Sequence, residues 1–448
     1  MKVKSTLISV MLMLFCWSVS FADTEPDNNT AAGADPIALN GSVSGTAGAI
    51  NDNSDWYVFT TNADGNITFT ITNDGAYTYL YLFDSDGATL IVTQTGYPGA
   101  GGITLQANGL AAGTYYIQVY NIDGVSNYTL TNTLTPDPLA NDNEPNDVYT
   151  QAKTLPLNGD KTGHIDYRYN GNVYDNNDWY KVTTTSDGNL SVTMTNDPGN
   201  YIYLYLYDID GTTLLANTSG YPGAGGITMT RTGLSAGVYY VLVYGINGYS
   251  GYTLSDVFTP DPRANDEEPN DNYTTANVIP VNDSTQGHID YFRNGNTYDN
   301  HDWYSITTTN DGTIDLNLTN TPGNYVYLYL VDNDGTTIIN STSGYPGSSG
   351  IHMTTVGLAA GTYYIDVLGQ DGYSGYTLTN SLTTDGISND VEPNNTPATA
   401  LPIAENSTVT GHIDYRFNGG THDNNDYYQL TTTTDGSITV TLTNSTGT

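Results

Sequence analysis

Residues 201–207 read Tyr-Ile-Tyr-Leu-Tyr-Leu-Tyr, a strict alternation of aromatic and aliphatic side chains. Successive side chains of a β-strand point to opposite faces of the sheet, so this period of two predicts a strand. Aliphatic side chains can be buried without a hydroxyl that needs a partner. We therefore expect Ile202, Leu204 and Leu206 to face a core and the tyrosines to lie outward or half-buried.

The segment belongs to a unit that the chain repeats. The motif Glu-Pro-Asn begins at Glu144, Glu268 and Glu392, at intervals of 124 residues (144 to 268, and 268 to 392), and Glu25 begins a related motif. Candidate strands of the second unit, separated by Asn, Asp and Gly, are 181–185, 189–195, 201–207, 213–217, 226–230, 238–244 and 252–256. This pattern predicts an all-β chain of tandem antiparallel β-sandwich domains, jelly-roll-like and joined by short linkers.

The repeat predicts the domain boundaries. We expect a signal peptide at 1–22, β-sandwich domains at 23–134, 142–257 and 266–382, and a partial fourth domain at 390–448. Lys2 and Lys4 precede an apolar run that contains Cys16, which is the only cysteine. The mature protein would then be secreted, either extracellular or on the cell surface, and would lack disulfides. Because the fourth domain stops after its first strands, we expect a further domain beyond Thr448 or strands donated by another chain.

The charge of the chain narrows its partners. Ten Lys and Arg residues against 47 Asp and Glu give a net charge of −37, which excludes the usual binding of nucleic acid through a basic face. Cations are the expected partners. No segment after the signal peptide is long and apolar enough to predict a membrane span.

Each repeat has two acidic clusters, one at its entry and one just before a strand. Calcium takes six to eight oxygen ligands, which such clusters could supply together. Turn and capping roles explain these residues singly, but crowded carboxylates repel one another unless a cation joins them. The sequence therefore predicts Ca²⁺ as cofactor. The candidate ligands are Asp23, Glu25, Asp27, Asn28, Asp52 and Asp55; Asp142, Glu144, Asn146, Asp147, Asp175 and Asp178; Asp266, Glu268, Asn270, Asp271, Asp299 and Asp302; and Asp390, Glu392, Asn394, Asn395, Asp423 and Asp426.

Other motifs receive simpler interpretations. The Asp-Gly segments at 84–87, 208–211 and 332–335 lack the rest of the EF-hand spacing, which favours hairpin turns. The recurrent His164, His288 and His412 have no accompanying nucleophile or zinc motif, so we expect surface or turn histidines and no enzyme activity.

Tyrosines that recur at equivalent positions form a candidate ligand face. Tyr203, Tyr205, Tyr240 and Tyr244 could contact an extracellular polysaccharide or a fibrous protein through many weak contacts. The alternative is that these tyrosines form cross-strand pairs that stabilise the sheet.

As a set, the motifs resemble a known family. Asp175-x-x-Asp178-Trp179-Tyr180 after the entry cluster, the strand at 204–208 and Ala236-Gly237-x-Tyr239-Tyr240 are similar to motifs of the bacterial pre-peptidase C-terminal domain and of clostridial collagen-binding domains. The resemblance covers three whole repeats and the start of a fourth. It implies a non-catalytic jelly-roll β-sandwich attached to secreted enzymes or surface proteins, with calcium between the entry segment and the sandwich. The first repeat departs from the pattern, with Asp27 in place of Asn.

The expected function is that of a secreted, non-catalytic, calcium-binding array that serves as an accessory, adhesive or spacer segment of an extracellular bacterial protein. Two alternatives stay open. One is an array that binds a carbohydrate or collagen-like substrate and is attached to a secreted hydrolase. The other is an extracellular fibre subunit.

Overall fold

A computed structural model describes residues 21–22, 28–48, 52–169, 173–196, 200–293, 297–320, 324–417 and 421–444. Most of the predicted signal peptide and the ligand candidates Asp23, Glu25 and Asp27 lie outside these ranges. The chain forms two compact units, the first containing 1–183, 190–231 and 238–258 and the second 184–189, 232–237 and 259–448.

Strands make up most of the first three repeats. The first repeat contains β1 (Phe21–Ala22), β2 (Asp35–Pro36), β3 (Ser42–Ala47), β4 (Ser54–Thr60), β5 (Gly65–Asn73), β6 (Thr78–Phe83), β7 (Leu90–Gly96), β8 (Ile103–Leu110), β9 (Thr114–Asn121) and β10 (Ser126–Pro136). The second contains β11 (Lys153–Thr154), β12 (Asp160–Ile165), β13 (Tyr167–Tyr169), β14 (Val173–Asp175), β15 (Asn177–Thr184), β16 (Gly188–Asn196), β17 (Tyr201–Tyr207), β18 (Leu214–Gly220), β19 (Ile227–Leu234), β20 (Gly237–Asn247) and β21 (Ser250–Pro260).

The third repeat has the same order of strands. It contains β22 (Asn277–Val278), β23 (Ser284–Ile289), β24 (Tyr291–Arg293), β25 (Thr297–Asp299), β26 (His301–Thr307), β27 (Gly312–Asn320), β28 (Tyr325–Val331), β29 (Ile338–Gly344), β30 (Ile351–Leu358), β31 (Thr362–Asp371) and β32 (Ser374–Thr384). The fourth contains β33 (Leu401–Ile403), β34 (Arg416–Phe417), β35 (Thr421–His422) and β36 (Tyr428–Leu430). Short 3-10 turns lie at Ala31–Gly33, Gly99–Gly101, Tyr149–Gln151, Gly223–Gly225 and Tyr273–Thr275.

Two sheets face each other in the first repeat. One has the order β3-β10-β5-β8, and the other has the order β2-β4-β9-β6-β7. Their inner faces share one core, in which Ile71 and Leu130 of the first sheet are buried with Leu82 and Ile117 of the second. The third repeat has the corresponding sheets β23-β32-β27-β30 and β22-β26-β31-β28-β29 with a core of their own. The all-β sandwich class predicted from the alternation is confirmed.

Strand β17 has the burial that its sequence predicts. Ile202, Leu204 and Leu206 are fully buried, and the tyrosines between them are half-buried on the opposite face. Across the neighbouring strand β20, Tyr203 pairs with Tyr244 and Tyr205 with Leu242. Leu242, which lies between Tyr240 and Tyr244 on the same face of β20, is itself buried.

A hairpin that the sequence pattern did not predict links consecutive repeats. In the first unit, Arg168 of β13 pairs with Leu110 at the end of β8. In the second unit, Phe292 pairs with Leu234, and Arg416 pairs with Leu358. Each hairpin therefore pairs with the end of a strand in the preceding repeat and extends the sheet to which that strand belongs.

The described part of the fourth repeat contains only short strands. β33 and β36 pair in parallel, and residues 431–444 contain no strand. Within the described ranges, no helix has the length and apolar character that a membrane span requires.

Replacement of Leu204 by Ala tests the orientation of β17. Removing this buried side chain should cost about 2–5 kcal/mol of unfolding free energy, because it leaves a cavity in the sandwich. Ile209→Ala, at a neighbouring exposed position, should cost less than about 0.5 kcal/mol. Urea unfolding of the full chain, read out by hydrogen exchange in β17, measures both. Equal losses would contradict the inward placement of Leu204.

Candidate metal centres

A backbone hydrogen bond holds each entry segment against the strand that follows the second acidic cluster. In the second repeat, the Trp179 amide donates to the Asn146 carbonyl over 3.0 Å. The Trp303 amide makes the corresponding bond to Asn270 over 2.9 Å, and the Tyr427 amide makes it to Asn394 over 2.9 Å. Two clusters about thirty residues apart in sequence are therefore adjacent in space.

Carboxylate groups of the two clusters converge. Groups with one oxygen from each member, all within 4.8 Å of one another, are Asp142, Glu144 and Asp178; Glu144, Asp147 and Asp175; Asp266, Glu268 and Asp302; Glu268, Asp271 and Asp299; and Asp390, Glu392 and Asp426. Glu144 and Glu268 belong to two groups each. Each of these two glutamates is therefore shared by the two carboxylate groups of its repeat.

In the second repeat, two buried tyrosines each donate a hydrogen bond to one aspartate of the group Asp142, Glu144 and Asp178. The Tyr180 hydroxyl donates to Asp142 Oδ2 over 2.5 Å, and the Tyr252 hydroxyl donates to Asp178 Oδ2 over 2.6 Å. The two hydroxyls are 2.5 Å apart. We call Tyr180 and Tyr252 the tyrosine pair of the second repeat.

The tyrosine pair recurs in two other repeats. Tyr304 and Tyr376 make the corresponding bonds to Asp266 and Asp302, at 2.5 and 2.6 Å. In the first repeat, the Tyr128 hydroxyl donates to Asp55 over 2.5 Å and lies 2.5 Å from the Tyr57 hydroxyl. The sequence correctly indicated that Tyr180 anchors the cluster, but nothing in its pattern pointed to Tyr252, whose partners are more than seventy residues away.

Several side-chain oxygens in the second, third and fourth repeats are buried and have no hydrogen-bond donor among the described residues. In the second repeat this is true of Asp142 Oδ1 and Asp178 Oδ1, and also of Asn146 Oδ1 and Asp175 Oδ1. The corresponding oxygens elsewhere are those of Asp266, Asn270 and Asp302 in the third repeat and of Asp390, Glu392, Asn394 and Asp426 in the fourth. Burying a hydrogen-bond acceptor without a donor is costly. The presence of so many such oxygens in one place therefore indicates a bound group, such as a cation, that accepts their lone pairs.

The amide of Asn146 is hydrogen-bonded within the entry cluster. Its Nδ2 donates to Asp142 Oδ2 over 2.5 Å, and its backbone amide donates to Glu144 Oε2 over 3.1 Å. Because the nitrogen is occupied, the side-chain carbonyl oxygen is the atom left for a ligand. The Nδ2 atoms of Asn270 and Asn394 donate the equivalent hydrogen bonds to Asp266 and Asp390, over 2.6 and 2.5 Å.

Crowding makes these carboxylates hard to ionise. Burial, followed by repulsion from Asp142 and Asp175, raises the pKa of Asp178 well above its ordinary value. Burial and repulsion from Glu144 raise the pKa of Asp175 to about 9. Burial and the nearby Asp390 raise the pKa of Asp426 to about 6. A cation at the point of convergence would offset this repulsion.

The remaining candidate ligands belong to the first and fourth repeats. In the first repeat, Asn28 and Asp55 are buried and Asp52 is half-buried, whereas Asp23, Glu25 and Asp27 lie outside the described residues. In the fourth repeat, the amide of Asn395, when oriented to donate, lies 2.8 Å from Asp423 Oδ1.

The Asp-Gly segments are turns. Asp210 Oδ1 accepts from the backbone amides of Thr212 and Thr213, over 2.8 and 2.7 Å, and Gly211 has a φ of 65°. The carboxylate therefore closes a hairpin turn, as the sequence analysis predicts.

The candidate ligand face is an aromatic surface. The rings of Tyr203 and Tyr205 stack with centroids 5.8 Å apart, and Tyr203 lies 6.0 Å from Tyr244. Tyr240 contacts Tyr149 with centroids 5.5 Å apart. Tyr203 thus contacts both Tyr205 and Tyr244, whereas Tyr240 is in contact with Tyr149, and all four candidate tyrosines are half-buried.

The recurrent histidines are buried, and their assignment to the surface was wrong. His164 Nδ1 lies 2.6 Å from Asp64 Oδ2, and its Nε2 lies 2.9 Å from the Leu139 carbonyl. Asp64 belongs to the first repeat and Leu139 to the segment that follows it. His288 and His412 make the equivalent contacts with Asp187 and Asp311. The recurrence of His-Ile-Asp at 164, 288 and 412 was the available signal, but its partner is about a hundred residues away in sequence.

Fold and site together define a tandem β-sandwich protein with an acidic centre at the entry of its repeats. Residues 53–121 and 176–245 match the family model of the bacterial pre-peptidase C-terminal domain. Two stretches of the chain, one in the first repeat and one in the second, thus match the domain family that the sequence motifs indicated.

Solved structures also match parts of the chain. The pre-peptidase C-terminal domain of a collagenase from Bacillus anthracis is 23% identical, with 26% of this chain and 99% of that one covered and a TM-score of 0.20. The tandem CBM22-1-CBM22-2 domain of Xyn10C from Paenibacillus barcinonensis is 10% identical, with 45% and 82% covered and a TM-score of 0.16. None of the curated proteins compared with this chain matches it.

The histidine contact predicts that stability depends on pH. Burial alone lowers the pKa of His164, but the bonds to Asp64 and to the Leu139 carbonyl outweigh it and raise the pKa above its ordinary value. Asp137 Oδ1 also faces Nε2, at 3.6 Å. A raised pKa gives stability that is fully present below the unfolded-state pKa of about 6.5 and is lost as pH rises through the folded-state pKa.

We therefore expect His164→Gln to cost about 1.5–3 kcal/mol at pH values below the unfolded-state pKa, and less at alkaline pH. Calorimetric melting of the full chain with calcium present, across this pH range, measures the difference between wild type and variant. His352→Gln replaces an exposed histidine and serves as the matched control. A difference that does not vary with pH would contradict a charged His164.

Proposed function

We propose that the chain is a secreted, non-catalytic array of β-sandwich domains, each stabilised by calcium, that serves as an accessory, adhesive or spacer segment of an extracellular protein. Two observations support this most directly. Carboxylate oxygens of Asp142, Glu144 and Asp178 converge, and the Oδ1 atoms of Asp142, Asn146 and Asp178 are buried without a donor among the described residues. Glu144 would complete this inner set, and Asp147 and Asp175 would provide further ligands around the shared Glu144.

The donor set fits calcium. All converging atoms are oxygens of carboxylates or of an amide, which is the chemistry that Ca²⁺ prefers, whereas zinc sites usually contain His or Cys. The number of candidate oxygens also suits an ion that takes six to eight ligands. Magnesium demands a smaller and more regular octahedron and usually keeps several waters.

Calcium would join two parts of the repeat that are otherwise held by few bonds. Asp142 and Asn146 belong to the entry segment, and Asp178 belongs to β15 of the sandwich. An ion bound only in the folded state stabilises it by about 2.7 kcal/mol when its concentration is a hundred times Kd. The ion would also hold the segment that leads in from the preceding repeat.

The accessory role rests on the family match. The family description names domains that lie C-terminal to peptidase precursors, which supports an appended module and not a catalyst. The basic and apolar start of the chain supports secretion.

A second candidate function is the binding of a polymeric extracellular substrate. The half-buried surface of Tyr203, Tyr205 and Tyr244 favours it, because aromatic rings at an accessible sheet face provide contact area at low entropic cost. Repetition of such a surface along one chain would raise avidity without new contacts.

Removal of calcium tests the first proposal. With EGTA, the full chain should lose about 2–3 kcal/mol per occupied repeat, and hydrogen exchange should accelerate in 142–147 and in β15. In Asp178→Asn, exchange in these segments should already be fast and should respond little to EGTA. Asp160→Asn removes an exposed carboxylate of the same repeat and should behave like wild type. If EGTA alters neither melting nor exchange, calcium is not a structural ligand.

A further inference from the structure

A polar cleft lies at the junction of the first and second repeats, within the first compact unit. Its volume is about 660 Å³, inside the range of about 300–1,000 Å³ that is usual for ligand sites. Gln106 and Asn108 of β8 line it, together with Asp166, Arg168 and Tyr174 from the hairpin and the residue before it. These residues take no part in the acidic centre.

The walls of the cleft are held together by backbone bonds and close packing. The Ala111 amide donates to the Arg168 carbonyl over 2.8 Å, next to the Arg168–Leu110 pair. The ring of Tyr249, which also lines the cleft, occupies the place where a Cβ at Gly109 would stand, 2.4 Å from two of its atoms. Gly109 has a φ of 65°, so both its conformation and this contact require glycine. The site is therefore largely preformed.

One acceptor and one donor in the cleft lack hydrogen bonds to the rest of the described chain. They are Asp166 Oδ2 and Arg168 Nη1, and both atoms are buried. Burial raises the pKa of Asp166 to about 6. Asp166 has a φ of 61°, which places its carboxylate beside Gly245, where a Cβ would approach Oδ2 to 2.5 Å. A buried charged group without partners is costly, which indicates that a ligand or water completes its hydrogen bonding.

An aromatic ring stands beside these polar atoms. Arg168 Nη2 donates to the Tyr174 hydroxyl over 2.7 Å, and the guanidinium carbon lies 5.4 Å from the centroid of the Tyr174 ring. This contact fixes the guanidinium and still leaves Tyr174 45% exposed. The cleft thus combines an accessible aromatic surface with a fixed acceptor and a fixed donor.

This combination matches a sugar ring. A hydroxyl is both donor and acceptor, so neighbouring hydroxyls can donate to a carboxylate and accept from a guanidinium at once. The apolar C–H face of the same sugar can pack on tyrosine. A net charge of −37 opposes a polyanion, and one carboxylate with one guanidinium leaves the cleft without a strong charge of its own.

We propose that the cleft formed by Asp166, Arg168, Tyr174 and Tyr249 binds a neutral polysaccharide. The proposal deepens the accessory function and rests on it, by naming the class of polymer that this junction would hold. Asp166 accepts from and Arg168 donates to hydroxyls of one sugar unit, while Tyr174 contacts its ring. Gln106 and Asn108, which also line the cleft, offer hydrogen bonds to an adjacent unit.

The third repeat provides a natural control substitution. Phe292 occupies the position of Arg168, where it is buried and pairs with Leu234 in the same way. Arg168→Phe should therefore keep the hairpin pairing and the melting temperature while removing the donor.

The test is affinity electrophoresis of the full mature chain in gels that contain hydroxyethyl cellulose, xyloglucan, glucomannan or laminarin, with polygalacturonate as an anionic comparison. We expect retardation by at least one neutral polymer. Asp166→Asn and Arg168→Phe should weaken that interaction by about tenfold or more, because each removes a hydrogen bond to a charged group. Melting temperatures with calcium should match wild type.

Three results would overturn the proposal. They are no retardation by any neutral polymer, retardation by polygalacturonate alone, and retardation that survives both cleft variants but is lost in Tyr203→Ser. The last would place binding on the aromatic face of β17. Because EGTA sensitivity is measured separately, failure of sugar binding with normal EGTA sensitivity rejects the cleft and leaves the calcium proposal standing.

Discussion

The acidic centres of the first three repeats depend on a hydrogen-bonded pair of buried tyrosine hydroxyls. Tyr180 lies on β15 of one sheet and Tyr252 on β21 of the other, and their hydroxyls lie between Asp142 and Asp178. The two hydroxyls, one from each sheet, therefore bond the Oδ2 atoms of Asp142 and Asp178. The Oδ1 atoms of both aspartates are buried without a donor among the described residues. Because Tyr180 and Tyr252 come from different sheets, packing of the two sheets brings together the two hydroxyls that bond Asp142 and Asp178.

This constraint connects each centre to the junction between repeats. In the first unit, the entry segment that contributes Asp142 follows Asp137 and Leu139, which contact His164. His164 in turn bonds Asp64 of the preceding repeat. The hairpin two residues later adds Arg168 to the end of β8. The candidate metal ligands, the histidine and the hairpin thus lie on one short stretch of chain. A ligand that orders the entry segment would therefore also stiffen the junction.

Much of the fold and the composition of the site could be predicted from local pattern. The alternation in 201–207 gave the correct inward face, and the repeated clusters identified residues that the structure brings together, including Asp142, Glu144 and Asp178. β12 escaped prediction because Lys161, Gly163 and His164 interrupt any alternation. The roles of Tyr252, His164 and Arg168 depend on partners that are distant in sequence, so only the folded chain defines them.

The most direct test of calcium as the ion that completes these centres is a crystal structure grown with Ca²⁺ at roughly 1 mM, a concentration that suits extracellular calcium modules. Anomalous scattering would locate the ion. The account predicts an ion about 2.3–2.6 Å from Asp142 Oδ1, Asn146 Oδ1 and Asp178 Oδ1, with the tyrosine pair unchanged. Water alone at that position, or calcium bound only at the Asp-Gly turns, would contradict it.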